Sequence, residues 1–252
     1  TSRRQRQMCI RDRFAAYLST EAGLRNGSIW ANCMWLKGVV MKAHYNGLIP
    51  RNPFIQFHIS PNVKEREYLT EDELKAVMTH EFADSKLAYI RDIFIFASFT
   101  ALSFVDIQEL TNDNIVEVNG EKWILSKRHK TKVAFQVKLL DIPLQIVERY
   151  RPMQKDNRIF PGLNYWSICK PLKRMIRECG ITKSISFHCS RHGFATLALS
   201  KGMPIESVSR VLGHTNIVTT QLYAKITTQK LDNDLTMFGD KLSKTFNGIT
   251  MS

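Results

Sequence analysis

The chain lacks any Cys-x-x-Cys pair. Its five cysteines, Cys9, Cys33, Cys169, Cys179 and Cys189, are scattered and odd in number. That argues against a disulfide scaffold and for a reducing intracellular compartment. An unbroken apolar run long enough for a membrane is missing too. The longest, Leu87 to Phe104, is interrupted by Arg91 and Asp92 and reads as a buried helix. No signal-peptide pattern opens the sequence, and no internal repeat announces a solenoid. Acidic side chains are in the minority: 36 Lys and Arg face 23 Asp and Glu, for a formal charge of +13. The deficit is uneven, since residues 1–66 hold 11 basic and 3 acidic side chains. Such a balance favours a polyanionic partner. At 252 residues the chain can bury one large core or two modest ones.

What is present concentrates between His188 and Tyr223. His188 and Arg191 stand three apart at a helix start, Leu212-Gly213-His214 follows, and Tyr223 comes nine positions after His214. Phe194, Leu197 and Ala198, at i, i+3 and i+4, predict a helix over 188–200. Gly202 ends it, and Pro204 suits the first turn of a second helix that buries Ile205, Val208, Val211 and Leu212. Gly213 ends that helix, and Thr215 is the expected cap of a third, short one leading to Tyr223. Three short helices with tight turns can gather His188, Arg191, His214 and Tyr223 into one pocket. Arginine offers a planar fork of donors matched to phosphate oxygens. The histidines add donors, and a tyrosine hydroxyl can form a covalent intermediate. Together they suggest attack on a phosphodiester. His188 and His192 have the i, i+4 spacing of a metal pair. No glutamate follows His188, however, and Arg191 between them repels a cation, so no metal is expected.

Upstream, a helical pattern runs through Phe14, Ala15 and Leu18. Ser28 is the expected cap of a second helix with Ile29, Cys33, Leu36, Val40 and Ala43 on one face, stopped by Gly47. Residues 61–69 are polar and linker-like. Thr70 and Glu73 then form a capping box, and a long helix follows from Ser85 to Leu102. Ile115, Val116 and Val118 precede Asn119-Gly120, a hairpin turn, and Trp123, Ile124 and Leu125 return. The Lys-rich turn Arg128–Lys132 leads to a third strand through Val133, Phe135, Val137 and Leu139. Pro143 opens a helix through Ile146, Val147 and Tyr150. Another, over 164–179, presents Lys170, Lys173, Arg174 and Arg177 to solvent or to DNA phosphates. The tail carries Leu231, Leu235, Met237, Phe238 and Leu242 among polar residues. It either covers the chain's own core or docks on a second protomer.

The ordered set His-x-x-Arg, Leu-Gly-His and Tyr resembles the active-site segment of tyrosine recombinases, the phage-integrase family of DNA strand-exchange enzymes. The resemblance implies a mainly α fold with a small antiparallel β-sheet. A partial helical core-binding domain (1–62), a linker (63–69), a catalytic domain (70–228) and a tail (229–252) are then expected. It implies that Tyr223 attacks a DNA phosphate, forming a 3′-phosphotyrosine bond. Arg191 and His214 stabilise charge on the phosphate, and His188 holds it or assists proton transfer. Lys130, in the sheet turn, is the best match to the family's general acid, with Lys132 and Lys127 as fallbacks; Lys132 is otherwise a DNA contact. The family's first catalytic arginine belongs in the Thr100-Ala101-Leu102-Ser103 segment, where this chain has Ser103. Asp106, Glu109 and Leu110 keep the register, and the pattern is similar to integrases of conjugative and mobilisable elements that carry serine there. Arg128, sharing a face with Lys130 in an extended chain, is the first candidate substitute; Arg91, a charge in an apolar helix, is the second.

The implied partners are double-stranded DNA and a homotetramer on two DNA sites, passing through a Holliday junction, with accessory DNA-bending proteins as further candidates. Neither a cofactor nor a membrane is implied, and the setting would be the bacterial cytoplasm and nucleoid. Two other functions stay open: a chromosome-dimer resolvase or DNA invertase of the same family, and a DNA-binding protein that has lost catalysis, as Ser103 would allow.

Overall fold

The computed structural model describes residues 3–55, 57, 60, 67–129, 132–154, 156–223 and 228–245. The chain divides between Glu65 and Arg66, inside the stretch read as a linker. In the first unit, α1 (Arg3–Thr20) and α2 (Asn26–Tyr45) pack around Leu18, Ile29, Cys33, Phe54 and Phe57. This core is small. The expected cap Ser28 lies inside α2: the cap position is Arg25, whose side chain makes no capping bond, and Ser28 donates its amide to the Arg25 carbonyl at 2.8 Å. Gly47 takes the left-handed conformation (φ 71°) that turns the chain after α2.

In the second unit, α3 (Glu71–Thr79) starts at the Thr70–Glu73 capping box, with both reciprocal bonds formed. Residues 67–69, assigned to the linker from sequence, pack with this unit: Leu69 is in its core, and the Ser184 amide donates to Glu67 at 2.6 Å. At the centre is α4 (Ser85–Thr100), contacted by α3, by α6 (Asp141–Tyr150), by α7 (Tyr165–Glu178) and by α8 (Cys189–Ser200). A helix packed on several sides is apolar nearly all round, which is why this stretch imitates a membrane span. Its one buried charge, Asp92, is fully engaged. It accepts from Arg91 Nε at 2.9 Å, Arg149 Nη1 at 2.7 Å and the Tyr150 hydroxyl at 2.7 Å. Among the described residues no helix is long and apolar enough to cross a membrane.

Ala101, left-handed at φ 54°, ends α4, and Ser103 caps the short α5 (Phe104–Gln108). Strands β1 (Ile115–Val118), β2 (Glu121–Lys127) and β3 (Ala134–Lys138) form an antiparallel sheet in that order. Asn119 and Gly120 both have positive φ, as a two-residue hairpin with the strands' twist demands. Ile124 pairs with Ile115 on one side and Val137 on the other, stacking apolar side chains on the covered face. The next helix begins at Asp141, two residues before Pro143. After α8 come α9 (Ile205–Leu212), α10 (Val218–Gln221) and α11 (Thr228–Thr245). Thr215 does not cap α10: the cap position is Ile217, which makes no side-chain capping bond, and Asn216 just before it accepts from the Val218 amide through Oδ1 at 2.9 Å. A second core of Ala101, Ala195, Leu199, Val208 and Leu212 joins the end of α4 to α8 and α9. On α11, Leu231, Leu235, Met237, Phe238 and Leu242 are exposed, so they do not cover the chain's own core.

Thr70→Ala removes one half of the capping box. It is expected to lower the stability of the second unit by roughly 1 kcal/mol in urea unfolding, with Thr70→Ser restoring most of it.

Candidate active site

Three chain segments end at one point, and a guanidinium joins them. Arg191, in the first turn of α8, is 9% exposed. Its Nη1 donates to the Ala101 carbonyl at 2.8 Å and its Nη2 to the Leu212 carbonyl. These are carbonyls at the C-terminal ends of α4 and α9, which lack helical partners and carry the negative end of the helix dipole. The left-handed residues Ala101 and Gly213 end those two helices there. The His-x-x-Arg pattern is thus built into the packing of three helices.

Arg128 approaches from the end of β2. Its guanidinium lies 4.1 Å from the centroid of the Phe135 ring. Nη1 donates to Asp106 Oδ2 at 2.7 Å and Nη2 to the Val211 carbonyl at 2.6 Å. Asp106 is held in turn: the Ser103 hydroxyl donates to Oδ2 at 2.8 Å and the His129 amide to Oδ1 at 3.0 Å. Arg128 Nε is buried with no hydrogen-bond partner among the described residues. It crosses Gly213 so closely that a Cβ there would sit 2.8 Å from Nε.

His214 follows Gly213, and its Nδ1 is 2.8 Å from the Thr220 hydroxyl. Its ring stacks near-parallel with Tyr223, centroids 6.5 Å apart at 13°. His192 meets Tyr223 edge-on at 5.0 Å and His188 at 5.0 Å. His188, Arg191, His214, Tyr223 and Arg128 are therefore brought together, and Asp106, Thr220 and His192 join them.

Burial pushes Arg191 down to about 10, and neighbouring Arg128 pushes the same way, while Tyr223 and Asp106 oppose. Arg191 stays charged at neutral pH. Burial, followed by the charges of Arg191, Arg128 and His188, pushes His214 down to about 4, so it is neutral. Burial works against the Asp106 carboxylate, but hydrogen bonds from His129, Arg128 and Ser103 hold it below its ordinary value. The cluster carries two buried guanidinium charges against one buried carboxylate.

Other expected residues lie elsewhere. Arg91, the second candidate for the missing cation, donates to the His80 carbonyl at 2.8 Å and to Asp92, with Phe82 5.8 Å from its guanidinium. It serves the packing of α3 and α4 and is not part of the cluster, because the buried carboxylate beside it in sequence claims its charge. Lys130 lies outside the described residues. Lys132 is exposed, with φ 56°, and donates its amide to the Arg128 carbonyl, closing the turn. Lys127 is exposed at the end of β2. On α7, Lys170, Lys173 and Arg177 are exposed, whereas Arg174 is paired with Glu178 at 2.7 Å and Asp84 at 3.4 Å. At the start of α7, Tyr165 packs its ring edge-on against Phe104 of α5 at 5.2 Å.

The sequence profile of the Phage integrase family matches residues 67–230, a span that holds every residue of the cluster. The chain belongs to this family. A tyrosine recombinase XerA from Pyrococcus horikoshii is 32% identical over 177 residues, 65% of this chain and 58% of that protein. A XerC from Lactobacillus leichmannii is 25% identical over 240 residues, 89% of this chain and 81% of that one. Against the first of these, the match spans less than two thirds of the relative's length. A Tn1549 transposon integrase in complex with a circular intermediate DNA shares the fold at TM-score 0.78 and 18% identity, covering 91% of this chain and 85% of that one. The mainly helical architecture with a small antiparallel sheet is that of the family's catalytic domains.

Two outcomes follow from this geometry. Gly213→Ala meets both a left-handed backbone, roughly 1–2 kcal/mol, and the Arg128 side chain. In a double-mutant cycle read by urea unfolding, it should cost at least ~1 kcal/mol less in an Arg128→Ala background; additive costs would show that the close approach carries no energy. His214, depressed from 6.5 to about 4 in the fold, binds its proton more readily when unfolded. Stability is then complete above about pH 6.5 and falls as pH drops towards 4. His214→Gln should flatten that part of the melting-temperature profile.

Proposed function

We propose that this chain is a site-specific DNA recombinase that cuts and rejoins strands through a 3′-phosphotyrosine bond to Tyr223. The observation that carries the reading is the charge of the buried cluster. Arg128 and Arg191 bring two positive charges and Asp106 one negative. A single phosphodiester monoanion beside Tyr223 brings the sum to zero. Burying an unbalanced charge is costly, so the arrangement is preorganised for such an anion, in the manner of oxyanion stabilisation.

In the proposed reaction the Tyr223 hydroxyl attacks phosphorus, its proton leaves with the help of His188, and the bond to the 5′ oxygen breaks. Lys130 protonates that oxygen as general acid. The phosphate ester persists on tyrosine, so rejoining by a 5′-hydroxyl of the partner strand needs neither ATP nor a metal. Arg191, Arg128 and His214 donate to the phosphate oxygens. Arg128 takes the part of the arginine that the family places where this chain has Ser103. Ser103 contributes indirectly by holding Asp106, which holds Arg128. Arg128 within the cluster weighs against the binding-only alternative.

The assembly we propose is a tetramer on two DNA sites passing through a Holliday junction, aided where needed by DNA-bending proteins. The exposed apolar residues of α11 would dock on a second copy. Lys132, Lys170, Lys173 and Arg177 would contact DNA phosphates, with Arg174 contributing less because two carboxylates already engage it. The first unit, with its basic excess, would be part of a DNA-clamping domain. Integration of a mobile element is the favoured role, since likeness to the transposon integrase extends over most of the chain. The Xer relatives keep chromosome-dimer resolution as the alternative within the same chemistry.

Nicked suicide duplexes with randomised cores test the reading by trapping a denaturant-stable adduct. Tyr223→Phe should abolish the adduct. Arg128→Ala should slow its formation about 100- to 1,000-fold while leaving DNA affinity within a few-fold. Arg91→Ala should lower stability without changing the rate. Adduct formation by Arg128→Ala at the wild-type rate would remove Arg128 from the mechanism, and no adduct on DNA that the wild type binds would favour the binding-only function.

A further inference from the structure

Thr220 lies three residues before Tyr223 and is fully enclosed, at 0% exposure. Two of its groups face two different members of the cluster. Its hydroxyl is 2.8 Å from His214 Nδ1, and its backbone carbonyl accepts from the Tyr223 amide at 3.0 Å. One residue therefore ties the imidazole to the nucleophile.

The hydrogen bond also has a direction. A hydroxyl carries one proton to donate, and an enclosed donor without an acceptor is costly. Among the described residues, His214 Nδ1 is the acceptor within reach. If the hydroxyl donates to Nδ1, that nitrogen holds a lone pair, and the ring proton of neutral imidazole must sit on Nε2. In the opposite arrangement, Nδ1–H would donate to the hydroxyl and strand the hydroxyl proton in a closed space. The ring would then present a lone pair at Nε2, which repels a phosphate oxygen. Burial first, and then the positive charges of Arg191 and Arg128, keep the imidazole from gaining a second proton that would make the distinction moot.

We infer that Thr220 is a positioning residue that fixes His214 as its Nε2–H tautomer, so that a neutral imidazole donates to the bound phosphate while stacked on Tyr223. The benefit to the reaction rests on the proposed strand-transfer function. The tautomer itself does not, and it can be read on the free protein.

The test has two arms. In long-range proton–nitrogen NMR of the whole chain with labelled histidine, His214 should show a single neutral tautomer protonated at Nε2. Thr220→Ser should keep it. Thr220→Val, which preserves shape and removes the hydroxyl, should give a tautomer mixture or Nδ1–H. A wild-type His214 protonated at Nδ1 overturns the inference with no variant needed, as does a Thr220→Val spectrum identical to wild type. In the second arm, single-turnover adduct formation on saturating nicked duplexes should fall roughly 10- to 100-fold in Thr220→Val, with DNA affinity within about twofold and the rate recovered in Thr220→Ser. An unchanged rate overturns the link to chemistry, as does a loss confined to affinity. Absence of any wild-type adduct counts against strand transfer and leaves the tautomer result standing.

Discussion

Two buried guanidinium groups lie near one buried carboxylate, and the local geometry of the cluster follows from housing them. A buried charge is tolerated only when its hydrogen bonds are met. Arg191 meets that need with carbonyls at the ends of two helices, and Arg128 with Asp106 and the Val211 carbonyl. The helix ends must therefore stop where they do. Gly213 must also lack a side chain, because Arg128 occupies the space a Cβ would take. Burial, reinforced by the same charges, holds His214 neutral, and in the proposed function two guanidinium groups beside one carboxylate are ready to receive an anion.

In the proposed function, Ser103 stands where the family has an arginine, and its neighbours supply the charge. A serine brings no charge to a phosphate. Here it caps α5 and donates to Asp106, and Asp106 anchors a guanidinium arriving from the sheet. On that proposal the cation comes from a different element, the end of β2, and reaches the same cluster. Ala101, two residues earlier, is held left-handed, a conformation that is costly for a residue with a Cβ. Its carbonyl binds Arg191, so the turn presents an acceptor to the cluster at the expense of local backbone comfort.

Elements governed by short-range rules were legible in the sequence. The Thr70–Glu73 box, the Asn119-Gly120 hairpin and the Gly213 stop depend on residues within a few positions of one another, and each occurs as read. Competing acceptors at equal range are not separable by sequence: Asn216, not Thr215, accepts from the first amide of α10, and Ser28 lies within α2. Arg91 and Arg128 look alike as isolated arginines. Their partners, His80 with Asp92 for one and Asp106 with Val211 for the other, differ only once α3, α4, α9 and the sheet have packed. In the sequence Asp106 marks only register and Thr220 carries no signal, because the role of each depends on where another side chain comes to rest.

The sequence by itself determined which residues could do chemistry and in what order they occur. His188, Arg191, His214 and Tyr223 are spaced by turns of helix and a glycine stop, and local backbone preferences suffice for that spacing. The tertiary structure alone decided which arginine joins them, which carboxylate steadies it, and which nitrogen of His214 faces Thr220. Those choices belong to contacts between residues up to 83 positions apart, such as Arg128 with Val211. They are settled by burial and hydrogen-bond satisfaction, which no local pattern encodes.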